Sequence, residues 1–520
     1  YIHITALALG LLMLFAGSVS ADFYVATDGN DTTGDGSNDY PWATITHALD
    51  NVPDASIINV KPGEYIGRIR IRGTFPNGVI VRSEVPYAAI LRNNDRVITA
   101  YPSGSGCYGI IIEGFEIEHI DDNTSPLLVH VDGGGDGSVS TLIFRNNIFH
   151  DSYNNDLLKI NNAAHTILVE GNMFYNQTGS DEHIDINSVQ GVTVQDNVFF
   201  NDFQGSGRQN NNNTSSYIVI KDSNSDDDIY LGSSNITIQR NVFMNWEGST
   251  GSNFVLIGED GQPYYEGYNI TVDNNLMIGN SDNTMRASVG VKGGQNIFFR
   301  HNTIVGDLPS MAYAMRLNQE GSNPANDNIR FYSNIWSDPF GTMGAPAGGG
   351  SNDFSDTPFG ETSSFTLESN LYWNGGSAIP SNTGSDLVNY TDDPYRVVDN
   401  PLLPDNSGAD VPRWDRDESE FVGGFSTIRE VFVNLVFSYG VPTGTSPGKD
   451  LGSTTFVPTD DILGNPRTYG SGPDMGAYEQ IPPVPTTSVW SVLLMLIVMG
   501  CRFFYFPQRN TRKARKREQA

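Results

Sequence analysis

The chain has 520 residues, with 60 acidic against 30 basic side chains, a formal net charge of −30, and 55 glycines. That balance excludes nucleic acid as a partner, because phosphate contacts need clustered lysines and arginines. A hydrophobic content of 38% with so many glycines suits short strands and turns, not long helices or a disordered chain.

Residues 1–21 read as a secretory signal peptide. The apolar run Ala6 to Phe15 is followed by Val19-Ser20-Ala21, a small-residue cleavage site, and its basic start would precede Tyr1. Residues 22–100 read as an N-terminal cap and first coils. Thr44 to Val52 is the expected short capping helix, with Thr44 as its N-cap. The segments Phe23-Tyr24-Val25-Ala26, Asp28-Gly29-Asn30-Asp31, Pro41-Trp42-Ala43-Thr44-Ile45 and Lys61-Pro62-Gly63-Glu64-Tyr65 resemble the opening of many secreted β-helix proteins.

Residues 101–400 repeat themselves. Arg145-Asn146-Asn147-Ile148-Phe149, Glu170-Gly171-Asn172-Met173-Phe174, Gln195-Asp196-Asn197-Val198-Phe199 and Gln239-Arg240-Asn241-Val242-Phe243 align on one Asn, and Asn275, Asn302, Asn334 and Asn370 continue the series. The spacings are 25, 25, 44, 34, 27, 32 and 36, so the shortest step is one coil and the longer ones carry loops. Runs such as Thr166-Ile167-Leu168-Val169-Glu170 alternate with period two, as half-buried strands do. One such unit cannot bury its apolar side alone, but coils stacked at about 4.8 Å can, with like residue over like and Asn ladders at the bends. The fold class is therefore all-β: a right-handed parallel β-helix.

Residues 401–480 read as C-terminal coils and a closing segment, and Pro339 to Pro447 as the last coils with long surface loops. Ile462-Leu463-Gly464-Asn465-Pro466-Arg467 and Pro473-Asp474-Met475-Gly476-Ala477-Tyr478-Glu479 resemble the closing motif of surface-anchored β-helix proteins. Residues 481–520 read as a sorting or anchor segment. Val484-Pro485-Thr486-Thr487, Trp490, an apolar span and an Arg-rich end resemble bacterial sorting signals of the IPTL type, with Thr487 where that family has Leu. A plain membrane anchor is the other reading. This end carries Arg502, Arg509, Arg512, Lys513, Arg515, Lys516 and Arg517 against Glu518, a net +6, which leaves the body near −36 (−30 − 6). The implied setting is secreted or cell-surface, with transient membrane association through the C-terminal segment, and a monomer. Cys107 is the one cysteine of the body and Cys501 lies in the tail, so neither an internal disulfide nor a cysteine metal site is expected.

Chemistry concentrates between Asn154 and Asp222. Three coils read Asn155-Asp156-Leu157-Leu158-Lys159-Ile160-Asn161, Ser180-Asp181-Glu182-His183-Ile184-Asp185-Ile186-Asn187 and Tyr217-Ile218-Val219-Ile220-Lys221-Asp222. With Ile160, Ile186 and Ile220 stacked inward, Lys159, Asp185 and Val219 share one outward column, and Asn161, Asn187 and Lys221 the next. Asp156, Asp181, Glu182 and Asp185 then converge beside Lys221. Hard oxygen donors in that number suit Ca2+, and so much charge needs a cation.

The pattern of an Asp, an acidic pair with Asp two residues on, and a Lys thirty-six residues later resembles the pectate lyases of polysaccharide lyase family nine. The resemblance implies that Asp156, Asp181, Glu182 and Asp185 hold calcium, that Lys221 is the base, and that an acidic polysaccharide is cut by β-elimination. Glu182 stands where that family usually has Asp. Lys159 is a rival base or an ion-pair partner of Asp185. Lys159, His183, Arg208, Lys292 and Arg316 are candidates for contacting substrate, His183 to assist proton transfer and Arg208, Lys292 and Arg316 to bind uronate carboxylates from the same groove. No Gly-His-Gly of a polygalacturonase is present, which counts against a hydrolase of that kind. Two alternatives stay open: a non-catalytic surface adhesin or carbohydrate-binding β-helix, and a uronate C5 epimerase.

Overall fold

The computed structural model describes residues 21–121, 126–224, 227–281, 283–306, 311–343, 353–382, 384–406 and 408–481. The chain divides into Tyr1–Gln480 and Ile481–Ala520. Apart from Ala21 and Ile481, the signal-peptide, sorting-signal and basic-tail expectations lie outside the described residues.

Three parallel sheets are built by one repeating path. The first has twelve strands, from Asp22–Val25 to Phe365–Glu368; the second has twelve, from Gly63–Ile66 to Val397–Val398; the third has nine, from Ile69–Ile71 to Arg316–Asn318. One coil runs Val139–Arg145, Ile148–Ser152 and Leu158–Asn161, and the next runs His165–Glu170, Met173–Gln177 and Glu182–Asn187 over it, all in parallel register. This is the right-handed parallel β-helix expected, with the hand that twisted strands impose on a crossover.

Alternation explains the core. In the first sheet Ile112, Phe144, Val169, Val194, Ile238, Val272, Phe299 and Phe331 pair in one inward column and are all buried. In the second sheet Phe149, Phe174, Phe199 and Phe243 stack with ring centroids 4.7, 5.0 and 5.0 Å apart. Between these sheets each recurrent Asn donates from Nδ2 to Oδ1 of the next, at 2.9–3.1 Å from Asn147 to Asn370, and the ladder ends on Asp393. The residue before each Asn is left-handed, Asn146 and Gly171 through Ser369, which turns the chain from one sheet to the next. The recurrent Asn is structural, as expected.

The N-terminal cap is Ile45–Asn51, with Thr44 accepting from the His47 amide at 3.2 Å. At the other end, residues 401–480 add no further coil to these sheets. They form a hairpin of Trp414–Asp415 with Glu420–Phe421 and a helix, Ile428–Leu435, opened by a Thr427–Glu430 capping box. The reason lies in the second sheet, whose outward side chains Ile148, Met173, Val198, Val242 and Leu276 are also apolar. They need a cover, and Val431, Phe432 and Leu435 supply it.

Candidate functional site

The third sheet carries the expected register. Lys159 lies beside Asp185 and Asp185 beside Val219, while Asn161, Asn187 and Lys221 form the neighbouring column. The apolar row Ile160, Ile186 and Ile220 is buried beneath them.

Three carboxylates meet on this face. Asp156, Glu182 and Asp185 are 1%, 3% and 1% exposed, and one oxygen from each lies within 4.8 Å of the others. Oxygens on opposite sides of a hard cation with bond lengths of about 2.3–2.6 Å stand about that far apart. Asp156 Oδ1 accepts from the Glu182 amide at 3.1 Å, but Asp185 Oδ1 is buried with no partner. Burial, then the charge of Asp185, pushes the Asp156 carboxyl up to about 7, and burial with Asp156 and Glu259 raises Glu182 well above the usual carboxylate range. Three all-oxygen donors, one of them orphaned, fit a hard divalent cation. Asp181 stands outside this triad, half-buried, with its carboxyl raised by burial.

Two lysines border the triad. Lys159 Nζ pairs with Asp185 Oδ2, the ion pair expected of it, and lies 3.9 Å from Asp156 Oδ2. Lys221 Nζ donates to Glu259 Oε2 at 2.9 Å. Burial opposes its charge, but Asp185, Glu182, Glu259 and Asp260 together outweigh burial and hold the ammonium form above its ordinary range.

Glu259 and Asp260 are site residues that sequence reasoning missed. They follow Gly258, at φ +81°, where any side chain would strike the Lys292 carbonyl, and past this turn Glu259 meets Lys221. Glu266 then fixes the turn. Its buried carboxylate accepts the amides of Glu259, Asp260, Gly261 and Gln262 at 2.7–3.2 Å. The signal available was the Gly-Glu-Asp-Gly run straight after a third-sheet strand.

The other candidates scatter. His183 is a correction: it is fully buried, stacked 4.4 Å from Tyr217, and burial lowers its imidazole to about 3. The pairing with the next strand skips His183 between Glu182 and Ile184, and its ring lies among the core rings of Tyr217 and Phe199. Arg208 is a second correction, because it reaches Asp151 of the second sheet at 3.4 Å and stacks on Tyr153. Lys292 does share the outward face, in the column of Lys221 two coils on, about 10 Å away. It pairs with Glu320 at 2.8 Å. Arg316 is in the column of Asp185 but four coils away, about 19 Å, and pairs with Asp356 at 3.3 Å.

A second acidic cluster lies on the outer face of the second sheet, also unforeseen. Glu116, Glu118 and His150 offer ligand atoms within 4.8 Å. His150 Nδ1 bonds Asp151 at 2.7 Å and Nε2 bonds Glu116 at 3.1 Å, while Arg416 forks onto Glu116 and Glu118 at 2.7 Å each and Arg92 reaches Glu118 at 2.9 Å.

No family model and no curated protein matches the sequence. Among solved structures the chain is similar to pectate lyase Pel9A, with 14% identity and a TM-score of 0.49 over 89% of this chain and 97% of that one. It is similar to an alginate lyase from Paenibacillus sp. str. FPU-7, with 16% identity and a TM-score of 0.34 over 53% of this chain and 93% of that one. A GH87 alpha-1,3-glucanase catalytic domain shows 12% identity and a TM-score of 0.38 over 69% of this chain and 66% of that one. These are resemblances of fold, and chemistry rests on the residues.

Proposed function

We propose that this chain is an extracellular, calcium-dependent polysaccharide lyase that cuts a polyuronate by β-elimination. The observation that carries this reading is the triad Asp156, Glu182 and Asp185, three carboxylates with Lys159 alone in ion-pair contact, and Lys221 on the same outward face, one coil over and two residues along. Asp156, Glu182 and Asp185 would hold the ion, with Asp181 at the rim. Bound calcium would neutralise the uronate carboxylate and make the C5 proton more acidic. Lys221 takes that proton, the C5–H electrons become the C4–C5 double bond, and the C4–O bond breaks toward the leaving sugar.

Lys221 must be neutral to act, and the acids around it oppose that. Neutralising Asp185 and Glu182 through the cation site removes two of its four raising charges, so the base works only in the loaded protein. The setting proposed is the cell exterior, reached by the N-terminal secretory segment, with transient membrane association through residues 481–520, and a monomeric chain.

One observation favours a second reading. Lys221 is already paired with Glu259, and a surface β-helix that binds acidic glycans without cutting them would keep that pair intact.

The test is incubation with a panel of polyuronates and glycosaminoglycans plus calcium, read by ultraviolet absorbance of unsaturated ends. Cleavage is expected to stop with chelator and to fall about 10²–10⁴-fold in folded Lys221→Ala. Chelator-resistant cleavage discards the calcium dependence, and glycan binding without unsaturated product on any substrate selects the second reading.

A further inference from the structure

One end of the third sheet is basic in a strongly acidic protein. Its first strand, Ile69–Ile71, turns Arg70 outward, flanked by Arg68 and Arg72, and Arg96 lies just before the next strand, Ile98–Ala100. Arg68 is paired with Asp95 and Arg72 with Asp50. Arg70 is exposed and its guanidinium meets no acid among the described residues, where most other arginines are in ion pairs. Arg96 Nε is shut away from solvent with no hydrogen-bond partner. Thr44, Thr46, Arg68, Arg70, Arg72 and Asp95 line one open recess there. The recess lining alone carries three arginines against one acid, a surplus of +2 (3 − 1), on a chain whose total is −30.

Register ties this patch to the acid triad. Arg70, Thr99, His130, Lys159 and Asp185 are successive members of one outward column. Four coil steps separate Arg70 from Asp185, about 19 Å. One coil step is close to the length of one pyranose unit in an extended glycan. A chain laid along the column therefore brings the carboxylate of a unit about four residues from the triad over Arg70, and a guanidinium takes a carboxylate with two parallel hydrogen bonds.

We propose that Arg70 and Arg96, with Arg68 and Arg72 beside them, form a distal subsite for the carboxylates of a polyanionic glycan, so that long chains are preferred over short ones. This rests on the polyuronate reading above and deepens it.

The experiment compares wild type with Arg70→Ala/Arg96→Ala and with Arg70→Glu, each checked for an unchanged thermal melt. Arg70 is held through its backbone, in the ladder with Thr99 and by its amide on Thr46 Oγ1 at 2.9 Å, so its exposed side chain can be changed with little risk to folding. Two readouts are used: retardation in gels containing polygalacturonate or alginate, and KM for long chains against trimers with calcium present. KM for long chains is expected to rise about tenfold and retardation to weaken by as much, the Glu variant most, with turnover of trimers unchanged. Variants that bind and cut long chains as wild type does overturn the subsite and leave the lyase standing. Wild-type retardation that the arginine substitutions abolish, with no cleavage, upholds the subsite and removes the lyase. A wild type that is not retarded in either gel overturns both.

Discussion

The outer faces of the second and third sheets each carry carboxylates brought together by coil stacking, and they differ in who supplies the opposite charge. On the second sheet Glu116, Glu118 and Asp151 meet His150, Arg92, Arg208 and Arg416, three acids against four bases. On the third, Asp156, Asp181, Glu182, Asp185, Glu259 and Asp260 meet Lys159 and Lys221, six against two. Titration follows. Burial works against Glu116 and Asp151 too, but His150, joined by Arg416 at Glu116 and by Arg208 and Asn176 at Asp151, outweighs it and holds both carboxyls below their usual range, whereas Asp156, Asp181 and Glu182 are raised. The second-sheet cluster is a finished lock, since Arg416 arrives from the C-terminal segment and fastens that segment to the helix. The third-sheet cluster lacks positive charge that the fold does not provide, which is the condition of a binding site.

The largest expected effect comes from removing one member of each cluster and measuring denaturant unfolding with chelator present. His150→Ala should cost about 3–5 kcal/mol, because it strips buried carboxylates of their partner. Asp156→Asn should instead stabilise the cation-free protein, by about 1–3 kcal/mol at pH 8, because it removes a charge that burial disfavours. Equal losses in both variants would mean that the third-sheet cluster is satisfied as it stands, and the contrast would collapse.

Stability against pH should sharpen the same contrast. The folded-state value of Asp156, about 7, lies above its ordinary 3.8, so its contribution is present below about 4 and lost as pH rises through 7. His150 is raised from 6.5 to about 10, burial opposing and Asp151 and Glu116 prevailing, so its contribution is full below 6.5 and lost as pH rises through 10. With chelator, the melting temperature should therefore fall in two stages as pH rises. Calcium should abolish the first stage alone, adding about 2.7 kcal/mol at a hundred times its Kd. A first stage that calcium leaves untouched places the ion elsewhere.

Much of this was legible in residues. The Asn spacing gave the coils and the ladder at their bends, and the alternation of Ile160, Ile186 and Ile220 gave the outward columns that hold Lys159, Asp185 and Lys221. What failed was whatever departs from period two. His183 sits where the register with the next strand is interrupted, so alternation assigns it to the wrong side of the sheet. Glu259 and Asp260 are placed by a left-handed glycine and the Glu266 clamp, which are contacts and not periodicities. Glu116 and Arg416 are 300 residues apart, and no spacing links an arginine in an irregular C-terminal segment to a glutamate inside a coil.

The smallest effect tests whether the charge shortage on the third sheet reaches catalysis. Glu259 is the acid in direct contact with Lys221 Nζ, and unlike Glu182 and Asp185 it stands outside the triad, so cation loading leaves its charge in place. Glu259→Gln should therefore lower the pKa of Lys221 in the loaded enzyme. The acid limb of the kcat/KM profile should move down by about one pH unit. Arg416→Ala, which disturbs only the second-sheet lock, should leave that limb where it was while lowering the melting temperature. A limb that stays fixed in Glu259→Gln separates Lys221 from the proton transfer. A limb that moves with Arg416→Ala would instead join the two clusters electrostatically, though they lie on different sheets and each draws its counter-charges from its own surroundings.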